Sequence, residues 1–140
     1  MKNSIYPCLW FDGQAKAAAE FYCSVFKDSK ITVDTPMVVN FELNGKKFMG
    51  LNGGPDFKFT EAVSFVVDCE TQEEIDYYWN ALAKGGKESM CGWLKDQFGV
   101  SWQIVPTVLG SLMTDPARAH RVMQVVMNSK KFNIDELKNA

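Results

Sequence analysis

The sequence is short of histidine, of cysteine and of long apolar runs, and each shortage closes off a class of function. His120 is the single histidine among 140 residues. A histidine-activated nucleophile or a histidine-rich metal site would therefore have to be built around that one side chain. Four cysteines, Cys8, Cys23, Cys69 and Cys91, lie 15, 46 and 22 positions apart, with no C-x-x-C pair. Four-cysteine zinc sites draw their ligands in close pairs, and nothing else here suggests a secreted disulfide framework, so the plain reading is buried free thiols. No stretch approaches the roughly 18 apolar residues of a membrane span, and the N-terminus carries no apolar signal core. Lys plus Arg number 15 against 17 for Asp plus Glu, a net charge of −2, without the basic excess of a nucleic-acid binder. These absences predict a cytoplasmic protein with neither nucleic-acid nor membrane partners. What is present is a hydrophobic fraction of 46% with 23% charged residues, which excludes wholesale disorder. The length predicts a single domain over 1–140.

The chain is written twice. Ile5 to Phe11 is a short apolar run ending at Asp12-Gly13, a strand and its turn. Gln14 to Phe26 reads as a helix, with Ala18, Phe21, Tyr22 and Val25 along one face. Three strand-like pieces follow, Lys30 to Val33, Met37 to Leu43 and Lys47 to Leu51, with Asn44-Gly45 as the hairpin turn between the last two. Shifted by 56 positions the pattern recurs. Ala62 to Val67 is a strand, and Thr71 to Glu74 is a capping box opening a helix that stops at Gly85-Gly86. Tyr78 then matches Tyr22, and Leu82 matches Phe26. Glu88 to Cys91, Gly92 to Lys95 and Ser101 to Val105 complete the second set of strands, with Phe98-Gly99 standing for Asn44-Gly45. The expected fold is α+β: two βαβββ modules, about 4–52 and 60–107, related by a pseudo-twofold and forming a curved mixed sheet around a shared cavity. Two copies are too few for a solenoid.

The remainder, 108–140, reads as a helical tail. Asp115 and Pro116 supply a cap and a first helical residue, and Asn133 caps a second, short helix. Met123, Val126 and Met127 form the expected apolar stripe of the first of these helices.

The repeated βαβββ order resembles the vicinal oxygen chelate superfamily, the glyoxalase and bleomycin-resistance fold. More narrowly, CLWFDGQAKAAAEFY at Cys8 to Tyr22, LNGGPDFKF at Leu51 to Phe59 and CGWLKDQFGVSWQIVPTVL at Cys91 to Leu109 are similar to the PhnB-like branch, labelled as a 3-demethylubiquinone-9 3-methyltransferase domain. The likeness is read as extending over nearly the whole chain, tail included. It implies a small-molecule partner and a homodimer.

The methyltransferase label has no support in the residues. A methyl-donor site on the usual α/β fold needs a glycine-rich turn between an opening strand and a helix, where this chain has Asp12-Gly13-Gln14-Ala15. In metal-dependent members each half supplies one ligand from its first strand and one from its last. The matching positions here are about Tyr6, Ala62, Met49 and Gln103, of which only Gln103 offers an oxygen suited to a hard divalent ion. A two-residue error brings in Cys8, Ser64 and Trp10, which does not change the result. The expectation is a protein with no metal and no cofactor, whose cavity is lined by Tyr6, Cys8, Trp10, Met49, Cys91 and Gln103. The alternative is an enzyme of the same superfamily, glyoxalase- or dioxygenase-like or the labelled methyltransferase, acting on a small metabolite. Weaker candidates are Cys8 or Cys91 as a nucleophile and Asp96 with Glu88 as an acid–base pair. Asp96, however, opens a hairpin, where aspartate is favoured by turn chemistry alone. Trp93 and Trp102 read as packing residues, and the lysines, Lys87 among them, as a solvated surface.

Overall fold

The computed structural model describes residues 3–140, which divide between Phe59 and Thr60 into two compact units. The first unit holds β1 (Cys8–Phe11), α1 (Ala15–Val25), β2 (Lys30–Asp34), β3 (Val38–Leu43) and β4 (Lys46–Asn52). Its four strands form one mixed sheet in the order β1-β4-β3-β2, with β1 parallel to β4 and the other pairs antiparallel. Asn44 and Gly45 both have positive φ, 50° and 79°, the backbone a two-residue hairpin requires to match strand twist. Leu9, Phe11, Val39, Phe41 and Leu43 alternate onto one face and are buried with Ala15, Ala18, Ala19, Tyr22 and Val25 of α1. Gln14 does not cap α1 with its side chain. The end of β4 does so instead, Asn52 Oδ1 accepting from the Ala15 amide at 2.9 Å.

The second unit repeats the order: β5 (Ser64–Cys69), α2 (Gln72–Ala83), β6 (Lys87–Glu88), β7 (Trp93–Lys95) and β8 (Ser101–Pro106). Its sheet runs β5-β8-β7-β6, with β5 parallel to β8. The Thr71/Glu74 capping box is present in full. The structure is thus α+β, with two four-stranded mixed sheets and helices. Four details differ from the sequence reading. The residue of α2 that takes the place of Tyr22 is Trp79, 2% exposed, while Tyr78 is only half-buried; the buried helical positions correspond at a shift of 57, as in Ala18 with Ile75 and Val25 with Leu82. Ala62 lies in a turn before β5, which opens two residues later at Ser64. And β6 ends at Glu88, so 89–92 is a connecting loop closed by bonds from the Ser89 amide to the Trp93 carbonyl and from the Trp93 amide to the Met90 carbonyl. The loop between β7 and β8 is longer than Asn44-Gly45 and is organised by Asp96 instead.

The tail forms α3 (Val108–Leu112), α4 (Pro116–Met127, capped by Asp115) and α5 (Ile134–Lys138, capped by Asn133). It has its own small core of Leu112, Val122, Val126, Phe132 and Leu137, against which Cys91 packs. The expected stripe is corrected by one residue: Val122 and Val126 face this core, whereas Met123 and Met127 are 39% and 61% exposed. Packing against Phe132 and Leu137 selects the edge of a broad apolar face. The segment after α4 straps the second unit. The Ser129 and Lys130 carbonyls accept from the Cys91 and Gly92 amides, and Gln72 of α2 bonds to both the Phe132 carbonyl and the Ile134 amide.

Candidate functional site

Alternation along a strand sends every second side chain away from the helix, so each sheet has an open face, and the two faces are described in turn. On the first sheet, the pairing of Cys8 with Met49 and of Trp10 with Leu51 sets these residues side by side. Tyr6, two residues ahead of β1, carries the Lys47 ammonium 4.0 Å above its ring, a cation–π contact. Trp10 is held at both ends. Its indole N–H donates to the Gly54 carbonyl at 2.9 Å, and Phe57 meets its ring edge-on at 4.9 Å. Gly53 lies so close over that ring that a Cβ there would come within 2.3 Å of it. Asn40, which pairs with Met49, has a buried side-chain oxygen with no hydrogen-bond partner. Four of the six expected cavity residues, Tyr6, Cys8, Trp10 and Met49, are thus brought together on one face.

The other two, Cys91 and Gln103, belong to the second unit. Gln103 lies on the open face of β8 and donates to Ser64 Oγ of β5 at 2.9 Å. Cys91, with φ of 61°, precedes β7, and its sulfur lies 4.0 Å from Met127 Sδ. A cavity of about 370 Å³ opens on this face. Cys91 lines it, together with Met90, Trp93, Lys87, Lys95 and Ser101, whereas Gln103 is set beside it as the cross-strand partner of Trp93. Ser101 is 1% exposed, yet its hydroxyl has no hydrogen-bond partner. Lys95 pairs with Glu61 at 3.0 Å, and the ammonium holds that carboxyl below the usual carboxylate range.

Lys87, Lys95, Ser101 and Trp93 were legible as residues but not as a group. The sequence-based strand boundaries ran β6 into β7 without a loop, leaving Lys87 with no partner, whereas the folded hairpin sets it opposite Lys95. Trp93 stands at the cavity wall. Trp102 lies on the opposite face of β8, 3% exposed, its indole N–H donating to Asp96.

The alternative catalytic residues are occupied elsewhere. Asp96 accepts from the Phe98 and Val100 amides and the Trp102 indole, and Glu88 accepts from the Trp79 indole at 3.0 Å. His120 lies on α4, 3.5 Å from Gln124. Burial pushes the Cys8 thiol up, which disfavours a thiolate nucleophile. The glycine pairs serve packing: besides Gly53 under Trp10, a Cβ on Gly86 would meet the Lys95 carbonyl at 2.0 Å. Neither pair forms a turn between an opening strand and a helix.

A divalent ion, which members of this fold can hold, is poorly matched by the donors present. Tyr6 already faces an ammonium, Cys8 lies beside the thioether of Met49, and the residue of β5 paired with Gln103 is Val66, while the Ser64 hydroxyl receives the Gln103 amide. A hard ion needs several carboxylate, carbonyl or imidazole donors. Among the described residues no three His, Cys, Asp or Glu side chains gather at one place.

Comparison with known proteins places this geometry. A family model described as 3-demethylubiquinone-9 3-methyltransferase matches residues 3–105. That span stops before the helices of the tail, so the likeness expected over nearly the whole chain does not extend to them. A putative 3-demethylubiquinone-9 3-methyltransferase, the PhnB protein of Bacillus cereus, is 35% identical, with 75% of this chain and 100% of that one covered at a TM-score of 0.68. A glyoxalase/bleomycin resistance protein from Albidiferax ferrireducens is 14% identical over 74% of this chain and 97% of its own, with a TM-score of 0.54. The fosfomycin resistance protein FosX of Listeria monocytogenes, solved with Mn(II) and sulfate, is also 14% identical, covering 80% and 96% of the two chains at 0.59. At that identity the last two show the fold alone. No curated protein matches the sequence. The paired βαβββ units and the match over 3–105 together mean that the chain belongs to the PhnB-like family of the vicinal oxygen chelate superfamily.

Proposed function

We propose that this protein binds a small molecule without a metal, the ligand being aromatic or amphipathic, and that 1–140 works as one domain. The observation that carries the reading is the cavity of about 370 Å³ on the second sheet, walled by Met90, Cys91 and Trp93 and floored by a buried, unpartnered Ser101 hydroxyl. An apolar, aromatic wall with a few unsatisfied polar groups is the usual character of a ligand site, and a buried hydroxyl left alone costs about 1–3 kcal/mol in a site that serves packing only. The aromatic face of the first sheet, with Tyr6, Cys8, Trp10 and Met49, extends the same reading. A homodimer belongs to it as well, supported by Val63 and Val66, 67% and 55% exposed at the edge strand β5; sedimentation at twice 15.8 kDa is the expected result, and a 15.8 kDa species alone refutes it.

A second reading, an enzyme of the same superfamily, is favoured by the description of the family model. Thermal unfolding against a panel of aromatic and amphipathic metabolites, after dialysis against EDTA, tests the first reading. A ligand at about one hundred times its Kd adds about 2.7 kcal/mol, a rise in Tm of several degrees for a chain of this size. Trp93→Ala abolishes that rise while the fold is retained. The binding reading fails if no compound stabilises the EDTA-treated protein but one does so once Mn(II) or S-adenosylmethionine is supplied, which is the enzyme's signature.

A further inference from the structure

Across the second sheet the hairpin register lines up Lys87 on β6, Lys95 on β7, Ser101 on β8 and Ser64 on β5. Lys87 and Lys95 are directly opposed, an arrangement that costs stability when both groups are ammonium ions. Both line the cavity, as does Glu61, the acid paired with Lys95. Glu88, next in sequence to Lys87, is bonded to Trp79 and compensates neither lysine. The cavity rim therefore carries two positive charges and one negative. Ser101, the cross-strand neighbour of Lys95, contributes a hydroxyl that is buried and unpartnered. Beside this polar row stand Met90, Cys91 and Trp93.

We infer that this cavity takes an organic monoanion, an apolar or aromatic body bearing one carboxylate-like group, with the anion held by Lys95, Lys87 and the Ser101 hydroxyl. The inference rests on the proposed binding role and adds the charge of the ligand. One negative charge neutralises the excess on the rim, relieves the opposed lysines and gives Ser101 its missing acceptor. The body lies along Trp93 and the two sulfur-bearing side chains, which suit flat apolar groups. Glu61, an exposed acid whose side chain is 64% accessible, is the built-in competitor: it occupies Lys95 until a ligand anion replaces it.

The test uses naphthoate and its neutral counterpart naphthamide, titrated into isotopically labelled protein and followed at the Trp93 indole and the Lys95 and Ser101 amides. Naphthoate is expected to bind about tenfold tighter than naphthamide. Lys95→Met and Lys87→Met each weaken naphthoate by about tenfold and leave naphthamide unchanged. Glu61→Gln tightens naphthoate several-fold. Ser101→Ala weakens naphthoate without lowering the thermal midpoint, which a hydroxyl with a structural role would not allow. Naphthamide binding as tightly as naphthoate, or a naphthoate affinity indifferent to both lysine changes, overturns the anion assignment and leaves the binding role standing. If neither compound perturbs the three cavity signals, both fail. Lys87 is exposed, so its variant carries the test should Lys95→Met not fold.

Discussion

A single residue, Asp96, organises the whole loop between β7 and β8. Buried at 3% exposure, its carboxylate collects the amides of Phe98 and Val100 and the indole of Trp102. Asp96→Ala leaves buried donors without an acceptor, and a loss of about 3 kcal/mol is expected in urea unfolding; a loss below about 1 kcal/mol contradicts this account of the loop. Aspartate's turn role was legible in the sequence because it is local, whereas its bond to Trp102 depends on which face of β8 that ring takes. Cys69 gives a pH-dependent counterpart. Burial, with the Glu74 and Asp68 carboxylates adding to it, pushes its thiol up to about 11. A thiol with a raised folded pKa stabilises the native state fully below its unfolded value, and that contribution is lost as pH rises through the folded value. Stability should thus fall between pH 9.0 and about 11, and Cys69→Ala should flatten that fall. An unchanged slope contradicts it.

Elements whose signals are local were readable: the Thr71/Glu74 capping box, the Asp115-Pro116 start and the Asn133 cap all form. Those decided by distant partners were not. The cap of α1 comes from Asn52, 37 residues away. The buried face of α4 depends on Phe132 and Leu137, which no helical period within α4 encodes. The tail is the element most exposed to a single change. Gln72 bonds the Phe132 carbonyl at 2.9 Å and the Ile134 amide at 2.8 Å, and nearby Lys131 pairs with Asp76 at 2.8 Å. Gln72→Ala should cost about 1–3 kcal/mol of local stability, read as faster amide exchange at Ile134 and Leu137 with little change at Val39 or Phe41 of the other unit. The Cys91 and Gly92 amides, bonded to Ser129 and Lys130, should loosen with them. Exchange unaltered at all four tail and lip amides contradicts the strap.

For the molecule as a whole, the twofold βαβββ order was legible because it is stated twice, and order survives small errors in strand ends. The site was legible only in part. Tyr6, Cys8, Trp10 and Met49 share a face through simple alternation, but the lysine–serine row needs the β6–β7 register, which a short loop at 89–92 sets. The fold's family admits metal ions, and the donors here argue against one. No helix among the described residues is long and apolar enough to cross a membrane. The proposed metal-free ligand binding in the second unit is tested most directly by calorimetric titration of naphthoate into EDTA-dialysed protein, repeated after addition of Mn(II). One site per chain with a Kd equal within about twofold in both samples is the predicted result. Heat absent from the EDTA-dialysed protein and restored by Mn(II) would contradict it.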